Sequence, residues 1–288
     1  MDESLRTNVI GDAKVHPTAI VEPGAQIGAN VVIGPYCVVG EQVSLGENSI
    51  LESHVVVTGA TQLGPCNRVL PFSSIGHPPQ DLKFHGEPSR LLIGSNNVIR
   101  EHVTMNPGTE GGGMVTEVGN NCLFMVGAHV AHDCRLGDHV IMSNNATLAG
   151  HVEVGDYAIL GGLSAVHQFV RIGKHVMIGG MSGVENDIIP YGSAMGNRAH
   201  LSGLNIVGLK RRSFSRSVIH DLRKAYRLLF AEEGTMSERI DDVIESFGGV
   251  EPVMDIINFI RSGADTSRAI CRPKLDRAAK TWHPCWGW

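Results

Sequence analysis

Aromatic residues are scarce in this chain, at 5% of its 288 residues, whereas glycine is abundant at 35. A compact globular core usually obtains much of its buried area from Phe, Tyr and Trp. A chain poor in rings but rich in glycine, valine and isoleucine favours short repeated strands joined by tight turns. The composition therefore argues against an ordinary layered core and predicts a repeat architecture.

Other absences restrict the function. The six cysteines include no C-x-x-C pair, so neither a zinc ribbon nor a disulfide framework is indicated. The net charge of −5 and the lack of a long basic run argue against a nucleic-acid partner. No run of 18 apolar residues occurs, and the opening MDESLRTNVIG lacks the basic stretch and apolar core of a secretory signal. We therefore expect a cytoplasmic protein without stable membrane insertion.

A period of six residues organises the first two thirds of the chain. Every sixth position from Val9 to Ile75 is aliphatic, and glycine often follows it directly. Two residues earlier a small or β-branched side chain is usual, and Cys37, Cys122 and Cys134 occupy this slot as small buried residues. Such a run is the hexapeptide signature of a parallel β-helix, whose narrow axis we expect to exclude large rings.

The period is interrupted twice, after Gly76 and after Met105, and it then runs from Val118 to Val184. The segments 77–92 and 106–117 are therefore predicted to be loops outside the coil, where solenoids often bind their ligands. Three hexads make one triangular turn of 18 residues, and successive turns stack about 4.8 Å apart. We expect about nine to ten coils within residues 1–195.

A helical region is predicted for residues 196–288. Apolar residues recur at spacings of three and four from Phe214 onward, and again around Ile256. Thr235 and Glu238 form a capping-box pattern ahead of a further apolar stripe. From Gly263 on, we expect a tail of little regular structure.

The stretch GAHVAHDCRLG at 127–137 has the composition of a proton-transfer or metal site. Within the repeat, His132 lies two places after the inward Val130 and therefore points out of the coil. Gly150 has the same address one coil later, and His151 stacks on Asp133. A histidine can take a proton from a hydroxyl, and a bare glycine lets its N–H face a developing oxyanion. The arrangement suits acyl transfer to a hydroxyl.

Three further segments, GGLSAVHQFVRIG, GNRAHLSGLN and GLKRRSFS, together with the AHDC motif, resemble the UDP-N-acetylglucosamine 3-O-acyltransferase family, which starts lipid A synthesis. The resemblance covers nearly the whole chain. It implies a left-handed parallel β-helix followed by a small α-helical C-terminal domain. It also implies a homotrimer with its active site between neighbouring subunits, and no cofactor or metal.

The resemblance assigns roles residue by residue. It implies that His132 is the general base for the sugar 3-hydroxyl, Asp133 its partner and Gly150 the oxyanion donor. Further contacts in the substrate cleft would come from His129, His151, His167 and Gln168, with Asp81 and Lys83 holding the sugar and the acyl chain. The nucleotide end would be bound by Asn205, Arg211 and Arg212, whose two guanidinium groups suit a diphosphate.

The implied donor is a 3-hydroxyacyl group on acyl carrier protein. That carrier is acidic, so the basic run from Lys210 to Arg216 suits it as well as the nucleotide, and the sequence leaves the division open. Gly180, after Met177, matches the position that ends the acyl groove, and a glycine there predicts a long acyl chain. Three positions depart from the family's pattern: NPGT at 106–109 where many relatives read His-Arg-Gly-Thr, Val207 in place of Glu, and Arg198 in place of His.

Three alternatives use the same coil. A γ-type carbonic anhydrase binds zinc with three histidines between subunits, and an H-x-x-H pair is compatible with it. The sister N-acyltransferase of the same pathway carries an additional N-terminal uridine-binding domain, for which hexads beginning at Val9 leave no space. A non-catalytic scaffold would leave His132, Asp133 and Gly150 without a purpose.

Overall fold

The computed structural model describes residues 8–9, 12–263 and 268–274. Short strands form three parallel sheets that wind as a β-helix, as the period predicted, and the helix is left-handed, as the family resemblance implied. Partners in register lie 18 residues apart where no loop intervenes, as for Gln26 and Ser44. Each sheet contains nine strands of the coil, which matches the predicted nine to ten coils, and sheet B continues into a terminal hairpin.

The strands are numbered along the chain and grouped by sheet. Sheet A consists of β1 Asn8–Val9, β4 Gln26–Ile27, β7 Ser44–Leu45, β10 Ala60–Leu63, β13 Arg90–Ile93, β16 Val115–Val118, β19 Arg135–Leu136, β22 Glu153–Val154 and β25 Arg171–Ile172. Sheet B consists of β2 Lys14–Val15, β5 Val32–Ile33, β8 Ile50–Leu51, β11 Arg68–Val69, β14 Val98–Ile99, β17 Leu123–Phe124, β20 Ile141–Met142, β23 Ile159–Leu160, β26 Met177–Ile178, β28 Gly192–Met195 and β29 His200–Leu204. Sheet C consists of β3 Ile20–Val21, β6 Val38–Val39, β9 Val56–Val57, β12 Ser74–Ile75, β15 Thr104–Met105, β18 His129–Val130, β21 Thr147–Leu148, β24 Ala165–Val166 and β27 Gly183–Val184.

The inward positions of the hexads form the core. The aliphatic ladder is buried from Ile27 to Val184, and the cysteines at 37, 122 and 134 are buried in the small slots. At the first coil the inward side chains are less buried. Val15 is 42% exposed, because it has a neighbouring coil on one side only. The prediction that the axis excludes rings is wrong at Phe124, which is fully buried between Ile99 and Met142 in the register of sheet B.

Many of the remaining rings lie at the corners of the coil. The corner residue has a positive φ, as at Asp133, His151 and Phe169, where φ is 60°, 62° and 64°. Because corners superimpose from coil to coil, their rings stack. His139, Tyr157, His175 and Tyr191 form one such column between sheets A and B, with neighbouring centroids 4.5–5.4 Å apart.

Both predicted loops leave the coil at the same corner, between sheets C and A. The first runs from 76 to 89 and the second from 106 to 114, so each is slightly shorter than predicted because β13 and β16 begin earlier. Both strands have four residues, and they pair along their whole length. We call this edge of the coil the C–A corner.

The coil ends in a hairpin before the helices begin. Strands β28 and β29 pair antiparallel. The prediction of a helical region from residue 196 is therefore wrong for residues 196–205. The helices are α1 Ile206–Arg211, α2 Arg216–Leu229, α3 Met236–Phe247 and α4 Glu251–Ser262. The capping box of Thr235 and Glu238 is confirmed at the start of α3. Arg171 joins the coil to α4, because its side chain bonds to Asp187, Ser262 and the carbonyl of Phe259.

Residues 268–274 of the predicted tail form no helix or strand, as expected, but they return to the end of the coil and pair with it at isolated bridges. Asp187 donates its N–H to Ala269 and accepts one from Cys271, and Leu201 donates to Arg272. The Cys271 side chain is buried. Residues 264–267 and 275–288, also part of that prediction, lie outside the described residues.

We expect Phe124→Ala to lower the free energy of unfolding by about 3–5 kcal/mol, because the truncated side chain leaves a cavity in the axis. Val15→Ala, at the open first coil, is the control and should change it by less than about 1 kcal/mol. Urea unfolding followed by circular dichroism at one protein concentration measures both. Equal losses for the two variants would contradict the account of the axis.

Candidate active site

The C–A corner brings the central candidates together from two adjacent coils. His132 and Asp133 lie in one coil, and Gly150 and His151 lie in the next. The N–H of His151 donates to the carbonyl of His132 at 3.0 Å, which fixes the two coils in this register. The stacking inferred from the 18-residue period is thus observed.

His132 and Asp133 form a buried pair. Nδ1 of His132 lies 2.8 Å from Oδ2 of Asp133. His132 points out of the coil as predicted, yet it is only 7% exposed. A carboxylate oxygen accepts only, so Nδ1 is the donor in this pair, and in the neutral form of the ring Nε2 carries the lone pair. The pair therefore has the geometry of an oriented general base.

The second loop closes over Asp133. The N–H of Thr109 donates to Oδ1 at 2.9 Å, and its hydroxyl donates to Oδ2 at 2.6 Å. The N–H of Asp133 itself donates to Thr116 Oγ1 at 2.8 Å. Sequence reasoning missed Thr116 because the predicted loop extended to 117, whereas Thr116 lies in β16. It missed Thr109 because a residue in an excursion has no address in the hexad. The only available signal was the NPGT segment itself.

Gly150 lies against the His132 ring. A Cβ built at position 150 would lie 2.4 Å from Cε1 and 2.6 Å from Nε2 of His132. A side chain is therefore excluded here, and the absence of one leaves the Gly150 backbone beside the basic nitrogen. This is the close approach that an oxyanion donor next to a general base requires.

Two further histidines surround the pair. His129 Nδ1 lies 2.7 Å from Thr104 Oγ1, and burial lowers the pKa of His129, reinforced by the charge of His132. His151 stacks on Phe169 at 4.4 Å, and its Nε2 lies 3.8 Å from Asp133 Oδ2. Burial lowers the pKa of His151 too, against the attraction of the Asp133 charge. Both rings therefore favour the neutral form, suited to hydrogen bonding.

The first loop contributes Asp81 and Lys83. Asp81 Oδ1 accepts the N–H of Lys83 at 3.0 Å, and the Lys83 side chain is exposed. The charge of Asp81 acts on His151, which indicates that this loop lies beside the corner. Asn106 holds the start of the loop, since its amide donates to the carbonyls of His77 and Pro78. The sequence did not predict this anchoring role of Asn106.

His167 and Gln168 lie on the next coil at the same corner, and Arg268 reaches both. Its Nε donates to the carbonyl of Gln168 at 2.9 Å, and Nη2 contacts Nδ1 of His167. Sequence reasoning missed Arg268, because no periodicity links residue 268 to the coil. The segment taken for a tail thus contributes a cation to the candidate site.

The candidate nucleotide residues lie at a different corner, between sheets A and B. Asn205 caps α1 by accepting the N–H of Gly208 at 3.0 Å, and its amide donates to the carbonyl of His175. Arg212 donates to the carbonyl of Tyr157 and lies 5.0 Å over its ring. Arg211 is exposed. A single chain therefore does not bring this group together with His132.

Gly180 lies at a third edge, between sheets B and C, and Met177 lies in β26 of sheet B, which leads into that edge. A Cβ at Gly180 would lie 3.2 Å from the carbonyl oxygen of Gly162, so the coils approach closely there. The apolar side chains of Leu163 and Met181 at this corner are exposed, Met181 to 75%. The edge thus offers apolar surface without a large side chain at position 180.

Within the described residues, His132, Asp133 and His151 have the atoms and separations of a possible metal site. Both carboxylate oxygens of Asp133 are already engaged, however, by the two Thr109 donors and by His132. The local hydrogen bonding therefore favours a proton-transfer site, and the anhydrase alternative is not favoured.

Sequence and structure comparisons agree on the chain's relatives. A model of domain 2 of UDP-N-acetylglucosamine O-acyltransferase matches residues 187–271, and bacterial transferase hexapeptide repeats match 24–59 and 116–150. The acyl-(acyl-carrier-protein)–UDP-N-acetylglucosamine O-acyltransferase of Caulobacter vibrioides is 57% identical over 91% of this chain and 99% of its own. The enzyme of the same name from Methylobacterium radiotolerans is 58% identical over 90% of this chain and 95% of its own.

Solved structures match over the same extent. The UDP-N-acetylglucosamine acyltransferase from Campylobacter jejuni has a TM-score of 0.85 at 39% identity, covering 91% of this chain and all of its own. LpxA from Acinetobacter baumannii has a TM-score of 0.83 at 42% identity, covering 90% of this chain and 99% of its own. Because these relatives are well above 30% identical and are covered almost to their full length, this chain belongs to the acyl-(acyl-carrier-protein)–UDP-N-acetylglucosamine O-acyltransferase family, a family of acyltransferase enzymes.

Proposed function

We propose that the chain transfers a long (R)-3-hydroxyacyl group from acyl carrier protein to the 3-hydroxyl of UDP-N-acetylglucosamine, the first step of lipid A biosynthesis. The observation that carries this proposal is the buried His132–Asp133 pair with the Gly150 backbone against its ring. Carrier-bound acyl groups and nucleotide sugars are made in the cytoplasm, so we propose that the enzyme acts there. In the described residues no helix is long and apolar enough to cross a membrane.

The proposed mechanism uses these three residues in order. Asp133 holds the Nδ1–H of His132, and Nε2 takes the proton from the sugar 3-hydroxyl as its oxygen attacks the thioester carbon. The Gly150 N–H donates to the oxyanion that forms. Collapse of the intermediate re-forms the carbonyl and breaks the carbon–sulfur bond. The proton on His132 then passes to the departing thiolate of the carrier, which restores the neutral base.

We further propose that the working site is shared between subunits of a homotrimer. The candidate base, nucleotide contacts and acyl-length position lie on three different edges of one triangular coil. They cannot surround one small substrate within a single chain, whereas neighbouring prisms could place different edges against one cleft. A groove between two coils would also enclose a long acyl chain better than one exposed face.

We expect His132→Ala to reduce kcat by about 10²–10⁴-fold, since the general base is lost. The measurement is the mass of the product formed from UDP-N-acetylglucosamine and 3-hydroxyacyl carrier protein. His54→Ala, an exposed corner histidine remote from the site, should retain full turnover. If the wild-type protein forms no acylated sugar nucleotide, the proposed function is wrong. A near-normal kcat in His132→Ala would refute the mechanism alone.

We expect Arg211→Ala to raise KM for the nucleotide sugar more than KM for the acyl carrier, if its guanidinium binds the diphosphate. Arg212→Ala should in addition lower the melting temperature, because Arg212 also holds Tyr157. Steady-state kinetics with each substrate varied in turn distinguishes the two partners. The opposite ranking of KM values would assign the basic run to the carrier.

Trimers that mix two single variants test whether the active site is shared between subunits. If His132 and Arg211 act on one substrate from different subunits, co-refolding of the two single variants should restore part of the turnover, because some clefts then contain both intact residues. Each variant refolded alone is the control. No restoration in trimers shown by native mass spectrometry to be mixed would contradict a shared site.

We expect Gly180→Met to shift the preferred donor to a shorter acyl chain. Each buried CH₂ contributes about 0.8 kcal/mol, so blocking a few carbons changes the preference strongly. Gly180→Ala adds little volume and should retain the long-chain preference. Initial rates with 3-hydroxyacyl carriers of graded length provide the profile. An unchanged profile in Gly180→Met would place the end of the groove elsewhere.

A further inference from the structure

The Asp133 carboxylate is bound mainly by the second loop rather than by the coil. Within the described residues its oxygens accept three hydrogen bonds, of which Thr109 supplies two and His132 the third. Thr109 is 6% exposed and Asp133 is 5% exposed, so water has little access to this contact. Hydrogen bonds to a charged group are stronger than those between neutral groups, and they gain strength where water is excluded.

The loop is shaped to reach Asp133 closely. A Cβ at Gly112 would lie 1.9 Å from Asp133 Cγ, and one at Gly108 would lie 2.8 Å from Oδ1. The two glycines therefore let the backbone pack directly on the carboxylate. We call residues 108–112 the clasp.

The clasp is itself anchored. Gly108 donates its N–H to Arg90 at 3.2 Å, and the carbonyl of Thr109 accepts from Gly112 and Met114 at 3.1 and 2.9 Å. These bonds fix the backbone on both sides of Thr109. The Thr109 donors are therefore held in place by the loop and are not recruited by the substrate.

The Asp133 rotamer determines the direction of the His132 ring, because Oδ2 is shared by Thr109 Oγ1 at 2.6 Å and His132 Nδ1 at 2.8 Å. A carboxylate released from the clasp could rotate, and the imidazole bound to it would turn with it. Small errors in the position of a catalytic group lower the rate by up to about 10²-fold.

We propose that Thr109 is a positioning residue of the acyl transfer: it fixes the Asp133 carboxylate, and through it the direction of His132 Nε2. Thr109 itself touches no reacting atom in this mechanism. The inference rests on the proposed role of His132 as general base. It assigns the second loop a part in the chemistry, in addition to any part in forming the cleft.

The test compares Thr109→Val with Thr109→Ser in the full-length protein. Valine keeps the shape and the backbone donor but removes the hydroxyl, whereas serine keeps both donors. We expect Thr109→Val to lower kcat about 10–100-fold while KM for each substrate stays within about twofold. Thr109→Ser should stay within about threefold of wild type. Thr18→Val, which removes a hydroxyl bonded to the Tyr36 N–H at an exposed corner, is the matched control and should have wild-type kcat.

A second arm separates positioning from a general structural role. In a His132→Ala background, Thr109→Val should cause no further loss, because the residue through which it acts is gone. The same fold-loss in both backgrounds would overturn the proposal, and so would a wild-type kcat in Thr109→Val. If Thr109→Val does not assemble, Thr109→Ala replaces it under the same criteria. A near-normal kcat in His132→Ala would instead indicate failure of the proposed mechanism.

Discussion

Every coil of this protein depends on the hydrogen-bonded register with the coil before it. Strands of two residues have too few internal contacts to persist alone, so each is held by its neighbours in the stack and by the aliphatic ladder on the axis. This register also positions the chemistry. His132, Gly150 and His151 come together because their addresses differ by 18 or 19 residues, and the backbone bond between His151 and His132 maintains that relation.

The same constraint determines where irregular chain is tolerated. Both excursions leave between sheets C and A, and both return on longer strands that restore the pairing. The regular coil thus supplies His132, Asp133 and Gly150 at fixed spacing, while the irregular segments supply Asp81, Lys83 and the Thr109 contacts. The candidate site therefore combines the regular coil with two loops at one edge. The coil fixes the spacing of the central residues, and the loops add contacts that the hexad repeat does not supply.

The limits of the sequence follow from this division. The hexad predicted the inward ladder, the stacking of Gly150 on His132 and the two excursions, because each of these is a consequence of one period. It could not predict Thr109 or Arg268, whose contacts depend on how segments outside the period fold back. The expectation that the axis excludes rings failed at Phe124 for another reason: the period specifies that a side chain points inward, but the volume available depends on the neighbouring coils.

Asn205, at the start of α1, shows a further limit of prediction from the sequence. Asn205 stands in a motif that the family resemblance links to nucleotide binding, yet in the single chain its amide caps α1 and bonds to the carbonyl of His175. A residue type that suits two roles cannot be assigned from its letter alone.

The hairpin at the end of the coil has a consequence for association between molecules. A parallel sheet that stopped at β26 would present an unpaired strand edge, which is a template for another chain. Here the chain continues into β28, reverses into β29, and pairs through Leu201 with residue 273 of the returning segment. The last rung of sheet B is thus covered by the molecule's own antiparallel chain, and end-to-end growth into a fibre is opposed at this pole of the solenoid.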